Sequence, residues 1–131
     1  VSSCPNHQTL RITPHATRFA IASAGMLGYE CNLSDVSAEE IKEIAQEVSL
    51  YKKWRKTLQF GQWYRVKSGK VFGQNGRRVP YDADKIQWCI VSEDKQNAIG
   101  ITLQGQVVSN FSHHKFRAVG LDENKQYHFY K

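Results

Sequence analysis

Few residues in this chain have types and spacings that could do chemistry. Cys4, Pro5, Asn6, His7 and Gln8 bring a thiol, an imidazole and two amides into five consecutive positions. A thiol beside an imidazole could form a nucleophile–base pair, but such pairs need a third group to orient the base. No acid lies near them in sequence. The other reading is a polar loop held by its own hydrogen bonds and stiffened by Pro5. His113, His114 and His128 could ligate a metal, yet adjacent residues of an extended chain point to opposite faces, which favours a solvated loop. Glu30 is the one acid among the first 33 residues. It would be either a paired structural carboxylate, the favoured reading, or a titratable site residue. Glu93 and Asp94 fall in a polar stretch where acids are ordinary turn residues. No phosphate-binding loop, dinucleotide fingerprint or zinc spacing is present.

The elements that must position these residues differ along the chain. Pro14 suits the first turn of a helix, with Thr13 before it as the expected N-cap. Residues 16–24 continue as a helix that is apolar nearly all round, a pattern that belongs to a helix buried on most sides. Gly25 ends it. Residues 28–33 are a short strand, with Tyr29, Cys31 and Leu33 on one side and Glu30 and Asn32 on the other. Ser37 and Glu40 then form a capping box opening a long helix to Phe60. Ile41, Ile44, Ala45, Val48, Tyr51 and Leu58 lie near a 3.6-residue period. Acids at the start of this helix and Lys52, Lys53, Arg55 and Lys56 near its end complement the helix dipole. Gly61 is placed to be its C′ glycine.

From Gln62 the pattern changes to strands, rich in aromatic and β-branched residues. Residues 62–67, 86–91 and 98–103 are three strands, the last two making a hairpin around the polar 92–97 turn. Residues 116–119 and 126–130 flank Asp122, Glu123, Asn124 and Lys125 as a second hairpin. Residues 68–85 form a loop. A helical part followed by a strand-rich part suggests a small α+β domain or the join between two domains.

Bulk properties narrow the function classes. The 131 residues amount to 15.0 kDa, one small domain or a piece of a larger body. The longest uncharged apolar run, residues 19–29, is far short of the ~20 residues that span a bilayer, so no membrane role is expected. No signal-peptide pattern opens the chain. Three cysteines are an odd, sparse set, expected to be reduced thiols in a cytoplasmic protein. The net charge is +6. It is spread as +1 over residues 1–33, zero over 34–60 and +5 over 61–131, with no concentrated block, which argues against nucleic-acid binding.

Several stretches carry a resemblance. The run VSSCPNHQT from Val1 to Thr9, RITP from Arg11, Thr17 to Phe19, Ala22 and Ser23, and Gly28 to Glu30 with Asn32 and Leu33 are similar to the closing part of the catalytic barrel of the family 36 α-galactosidases. Tyr51, Lys52, Trp54, Arg55 and LQFG from Leu58, leading to Tyr64 and Arg65, continue the likeness. Trp88, Val91 to Lys95 and Ala98 resemble the first hairpin of that family's C-terminal β domain, and Gly120 to Asp122 a later turn.

The resemblance implies an α/β then all-β chain: the last strand–helix units of a (β/α)8 barrel over residues 1–60, then part of an antiparallel β domain over 61–131, shorter than the family's. Active sites of such barrels are built from the loops after the strands. Cys4, Asn6, His7 and Gln8, with Asn32 on the eighth strand, are therefore the candidate substrate-binding residues. The implied reaction is retaining hydrolysis of terminal α-galactosyl groups from sugars such as melibiose and raffinose, with no cofactor and no metal. Retention uses two carboxyl groups ~5–5.5 Å apart. In the family both are aspartates on the fourth and sixth strands. Residues 1–33 contain no aspartate, so no catalytic residue is expected in this chain and the chain alone is expected to be inactive. The implied partners are an α-galactoside, the remainder of the parent enzyme and, as the family often oligomerises, further copies. The competing reading is a stand-alone α+β module presenting Trp63, Tyr64 and Trp88 to a sugar, or a basic face to an anion.

Overall fold

A computed structural model describes residues 1–67, 85–105 and 115–130. The chain divides into two compact units, Val1–Gln59 and Phe60–Lys131.

In the first unit, helix α1 spans His15–Ala22. Pro14, extended at φ −53° and ψ 142°, occupies the N-cap position, and no side chain caps the helix. The expected Thr13 cap is therefore displaced by one residue. The first turn closes instead on the Pro14 carbonyl, which accepts from the Thr17 and Arg18 amides at 3.1 and 3.2 Å. No residue of α1 is buried. Its all-round apolar character thus meets solvent within this chain.

Flanking α1, Ser2 and Glu30 form an isolated parallel bridge, and the Glu30 amide donates to the Val1 carbonyl at 2.8 Å. The expected 28–33 strand is reduced to that bridge. A 3-10 turn over Leu33–Asp35 follows, because the Asn32 side chain accepts from the Ser34 amide at 3.2 Å and curls the chain there.

Helix α2 runs over Ala38–Phe60. Its capping box is formed: the Glu40 amide donates to Ser37 Oγ at 3.2 Å, and Glu40 Oε2 accepts from the Ser37 amide at 3.3 Å and its hydroxyl at 3.1 Å. Three groups that water would otherwise have to satisfy are thereby paired at the helix entrance. Its apolar stripe is only partly covered: Tyr51 and Leu58 are buried, whereas Ile41 is 46% exposed. The basic cluster ends before the last turn, which carries no base. The dipole contribution expected at this end is correspondingly small, since it falls off within one turn. Gly61 follows without a left-handed conformation, so the helix does not end in the C′-glycine motif.

The second unit is built on an antiparallel meander of β1 (Gln62–Lys67), β2 (Lys85–Val91) and β3 (Ala98–Gln104), in that order across the sheet. Trp63 pairs with Ile90, Arg65 with Trp88, and a bulge between Arg65 and Lys67 shifts the register. Ile90 pairs with Ile99 and Cys89 with Gly100. The central strand holds the core, with Cys89, Ile90 and Val91 almost wholly buried. Each such aliphatic side chain contributes roughly 1.5–3 kcal/mol through burial.

The 92–97 turn is drawn together by Ser92, whose hydroxyl donates to Asp94 Oδ1 at 2.6 Å and accepts from the Asn97 amide at 3.0 Å. Residues 115–130 cross one sheet face. Lys115 O accepts from Gln87 Nε2 at 3.0 Å, Val119 O accepts from the Cys89 thiol at 3.4 Å, and the Phe116 ring lies over Gly100. Of the expected second hairpin only the turn is present. The Lys125 amide donates there to Asp122 O at 3.1 Å, but neither 116–119 nor 126–130 is a strand. These segments are held by side chains rather than by a ladder: Tyr127 Oη accepts from the Asp122 amide at 3.0 Å and donates to Lys95 O at 2.8 Å. The expected 68–85 loop lies outside the described residues except for Lys85, which opens β2.

Candidate functional site

The loop after Ser2 is organised by one side chain. Asn6 Oδ1 accepts from the Gln8 amide at 3.0 Å, the Thr9 amide at 2.9 Å and the Thr9 hydroxyl at 3.1 Å. Its backbone closes the same loop, the Asn6 amide donating to Arg11 O at 3.0 Å and Asn6 O accepting from Leu10 at 2.8 Å. Asparagine does this because its short amide can reach backbone donors two and three residues on. Leu10, at φ 55°, takes a left-handed conformation as the chain turns back.

The five candidate residues consequently separate. Asn6 spends its carbonyl oxygen on the loop itself. Asn32 spends its side chain on Ser34 and on Asp35, donating to the Asp35 carboxylate at 3.0 Å. His7 and Gln8 are exposed on the loop. Cys4 is also exposed, its thiol 3.8 Å from Thr13 O. None of the loop's side chains hydrogen-bonds to Asn32 among the described residues. The side chains left to meet a ligand are therefore those of His7 and Gln8, with the exposed Cys4 thiol turned to Thr13 O. Among the described residues, no acid is shown orienting a nucleophile–base pair at Cys4 and His7.

Glu30 carries an exposed carboxylate, and among the described residues no side chain is shown paired with it. The pairing falls to a different acid. Glu47, on α2, accepts at Oε2 from Tyr29 Oη at 2.6 Å and meets His15 Nε2 at 2.9 Å. Arg18 Nη2 in turn lies 3.3 Å from His15 Nδ1. Burial, then the adjacent Glu47 carboxylate, pushes the Tyr29 phenol well above its ordinary value. Sequence reasoning missed this cluster. Its members are up to 32 residues apart, and no local spacing links them; the one clue was a histidine and an arginine one turn apart on an otherwise apolar helix.

On the sheet, Trp63 and Trp88 meet edge to face with centroids 5.7 Å apart. Tyr64 points to the opposite face, where its ring packs against Gly120. The three aromatic residues therefore form no common platform, as alternation along a strand requires. Asp122 is held below the usual carboxylate range, first by the Asn124 amide it accepts from. His128 is exposed, and His113 and His114 lie outside the described residues. Among the described residues no group of three His, Cys, Asp or Glu could hold a metal ion, and no helix is long and apolar enough to cross a membrane. Cys4, Cys31 and Cys89 are free thiols.

Comparison with known proteins adds to this geometry. A family profile described as Melibiase matches residues 1–61. The chain is 34% identical over 127 residues to the α-galactosidase Mel36A of Lactobacillus acidophilus, an alignment covering 97% of this chain and 16% of that protein. Among solved structures, it is similar to a doubly substituted variant of the GH36 α-galactosidase AgaA of Geobacillus stearothermophilus in complex with raffinose, at a TM-score of 0.78 and 31% identity over 95% of this chain and 16% of that one. A variant of the same enzyme in complex with stachyose gives the same TM-score of 0.78 and 31% identity, with the same 95% and 16% coverage. The chain thus spans about one sixth of the length of the relatives it matches.

Proposed function

The chain belongs to the melibiase family of α-galactosidases, and from that membership we propose that it is a segment of a retaining α-galactosidase. The parent enzyme would remove terminal α-D-galactosyl groups from galacto-oligosaccharides such as melibiose and raffinose. The observation that carries this reading is similarity along 97% of the chain to an α-galactosidase, together with likeness to one crystallised with raffinose and with stachyose.

On this reading residues 1–60 supply the last strand–helix units of a (β/α)8 barrel, and 61–131 belong to an antiparallel β domain. The parallel bridge of Ser2 with Glu30, separated in sequence by α1, supports the first part: parallel neighbours need a crossover of a dozen or more residues, usually helical. The 4–10 loop then stands at the barrel face where such enzymes build their sites. Cys4, His7 and Gln8 face the sugar, while Asn6 and Asn32 shape the backbone beneath it. Both catalytic carboxyl groups belong to other parts of the enzyme. One attacks the anomeric carbon as the other protonates the departing glycosidic oxygen. Water then releases galactose, giving its proton back to the second group. The chain by itself is inactive, and its partners are the galactoside and the rest of the enzyme, with assembly of further copies. Three free thiols support a reducing, cytoplasmic location.

Proton NMR of raffinose hydrolysis by the polypeptide that carries this chain tests the reading. The first galactose released should be the α anomer. Release of the β anomer would exclude retention, and the absence of galactose would exclude the activity.

A further inference from the structure

We infer that Arg18 is a positioning residue that holds the base of the 4–10 loop closed, aimed by a hydrogen-bond relay through His15 to Glu47. Its effect on hydrolysis rests on the function proposed above; its effect on the loop does not.

The Arg18 guanidinium reaches both ends of the loop. Nη1 donates to the carbonyl of Ser2, just before the loop, and Nε donates at 3.2 Å to the carbonyl of Thr13, just after it. One planar, pre-organised group thus ties entry to exit. The Cys4 thiol turns to the same Thr13 carbonyl, at 3.8 Å. The loop's internal bonds, all centred on Asn6, fix its tip but not how far apart its two ends stand.

The remaining donor fixes the state of His15. A guanidinium has no acceptor and stays charged, so His15 Nδ1, 3.3 Å from Arg18 Nη2, must accept. The proton of the neutral imidazole then sits on Nε2 and is donated to Glu47 Oε2 at 2.9 Å. The same oxygen accepts from Tyr29 Oη at 2.6 Å, and the Tyr29 ring stacks on the imidazole at 6.5 Å between centroids. The direction of each bond is thereby fixed: Arg18 donates to His15, and His15 and Tyr29 both donate to Glu47 Oε2. The His15 and Glu47 side chains are each 14% exposed, so water competes poorly for these bonds. A carboxylate on α2 thereby sets the angle of an arginine on α1, and that angle sets the loop.

The test uses the complete polypeptide carrying this chain and compares His15→Ala with His15→Gln. Glutamine can donate from Nε2 to Glu47 and accept at Oε1 from Arg18, which keeps the relay; alanine removes it. Hydrogen exchange of the peptide covering residues 4–12 is read by mass spectrometry, alongside KM and kcat on a chromogenic α-galactoside. His15→Ala should speed exchange of that peptide by about tenfold, the scale of one lost charged hydrogen bond, and raise KM more than it lowers kcat. His15→Gln should restore both. Should His15→Ala not fold, Arg18→Lys reads the same clamp, since a lysine cannot hold both carbonyls and should speed exchange alike. Equal behaviour of the glutamine and alanine variants, or unchanged exchange in His15→Ala, would overturn the clamp. A faster-exchanging loop in a polypeptide without α-galactosidase activity would uphold the clamp and overturn the proposed function.

Discussion

Ser2 and Glu30 stand side by side in a parallel bridge, the Glu30 amide donating to the Val1 carbonyl at 2.8 Å, with α1 between them in sequence. Arg18, on that helix, donates back to the Ser2 carbonyl. Bridge, helix and returning chain are thus joined, and the loop bearing Cys4, His7 and Gln8 springs from them. Much of the apolar surface around it is exposed.

Leu10, Ile12 and Met26 are 76%, 80% and 85% exposed. Apolar surface of this kind on neighbouring segments drives association. The isolated 131-residue chain should sediment as a concentration-dependent mixture and melt with poor cooperativity. A single sharp two-state transition from a monomer would favour the stand-alone module.

Ser37 and Glu40 close the entrance of α2 through three hydrogen bonds. Ser37→Ala should cost about 1 kcal/mol, the usual loss for an N-cap. Thermal melting followed by helical ellipticity measures it, and Ser37→Asp should restore the loss by replacing the acceptor.

Gly120 has φ +76°, and a Cβ there would meet the Tyr64 ring 2.3 Å away. Left-handed backbone and overlap both oppose a side chain at this position. Gly120→Ala should destabilise the second unit by about 2–4 kcal/mol, the sum of a disfavoured backbone and an overpacked contact. Pairing it with Tyr64→Ala should recover the packing share and leave the backbone share, a split that a double-mutant cycle in denaturant reads directly.

Tyr29 titrates above its ordinary value of 10.0 because of burial and the adjacent Glu47 carboxylate. A folded-state pKa raised above the unfolded one gives stability that is fully present below about pH 10 and is lost as pH rises through the folded value. Absorbance at 295 nm should therefore resolve one late-ionising phenol. Glu47→Gln should bring that phenol back toward 10, and Tyr29→Phe should remove the late step altogether.

What the sequence disclosed was local. Helix α2, its capping box and the three strands follow from spacings within a dozen residues, where the hydrophobic period and the Ser37–Glu40 pair act alone. The 92–97 turn is likewise set by its own polar residues. Features that depend on distant partners were not legible. The 116–119 and 126–130 segments have strand composition, yet what holds them is the Cys89 thiol on the Val119 carbonyl and the Tyr127 hydroxyl between Asp122 and Lys95. Glu30 was the visible acid, but Glu47 is the paired one, because only the fold brings α2 to His15 and Tyr29. Asn6 lies between: its capacity to organise a loop is a property of asparagine in any turn, and the motif drew attention to it as a ligand instead.

We propose that this chain is a piece of an α-galactosidase whose catalytic carboxyl groups lie elsewhere in the protein. The most direct test is hydrolysis of a chromogenic α-galactoside by the 131-residue chain and by the complete polypeptide that carries it, side by side. The complete polypeptide should release chromophore and the chain alone should release none. Hydrolysis by the isolated chain, or by neither protein, would contradict the proposal.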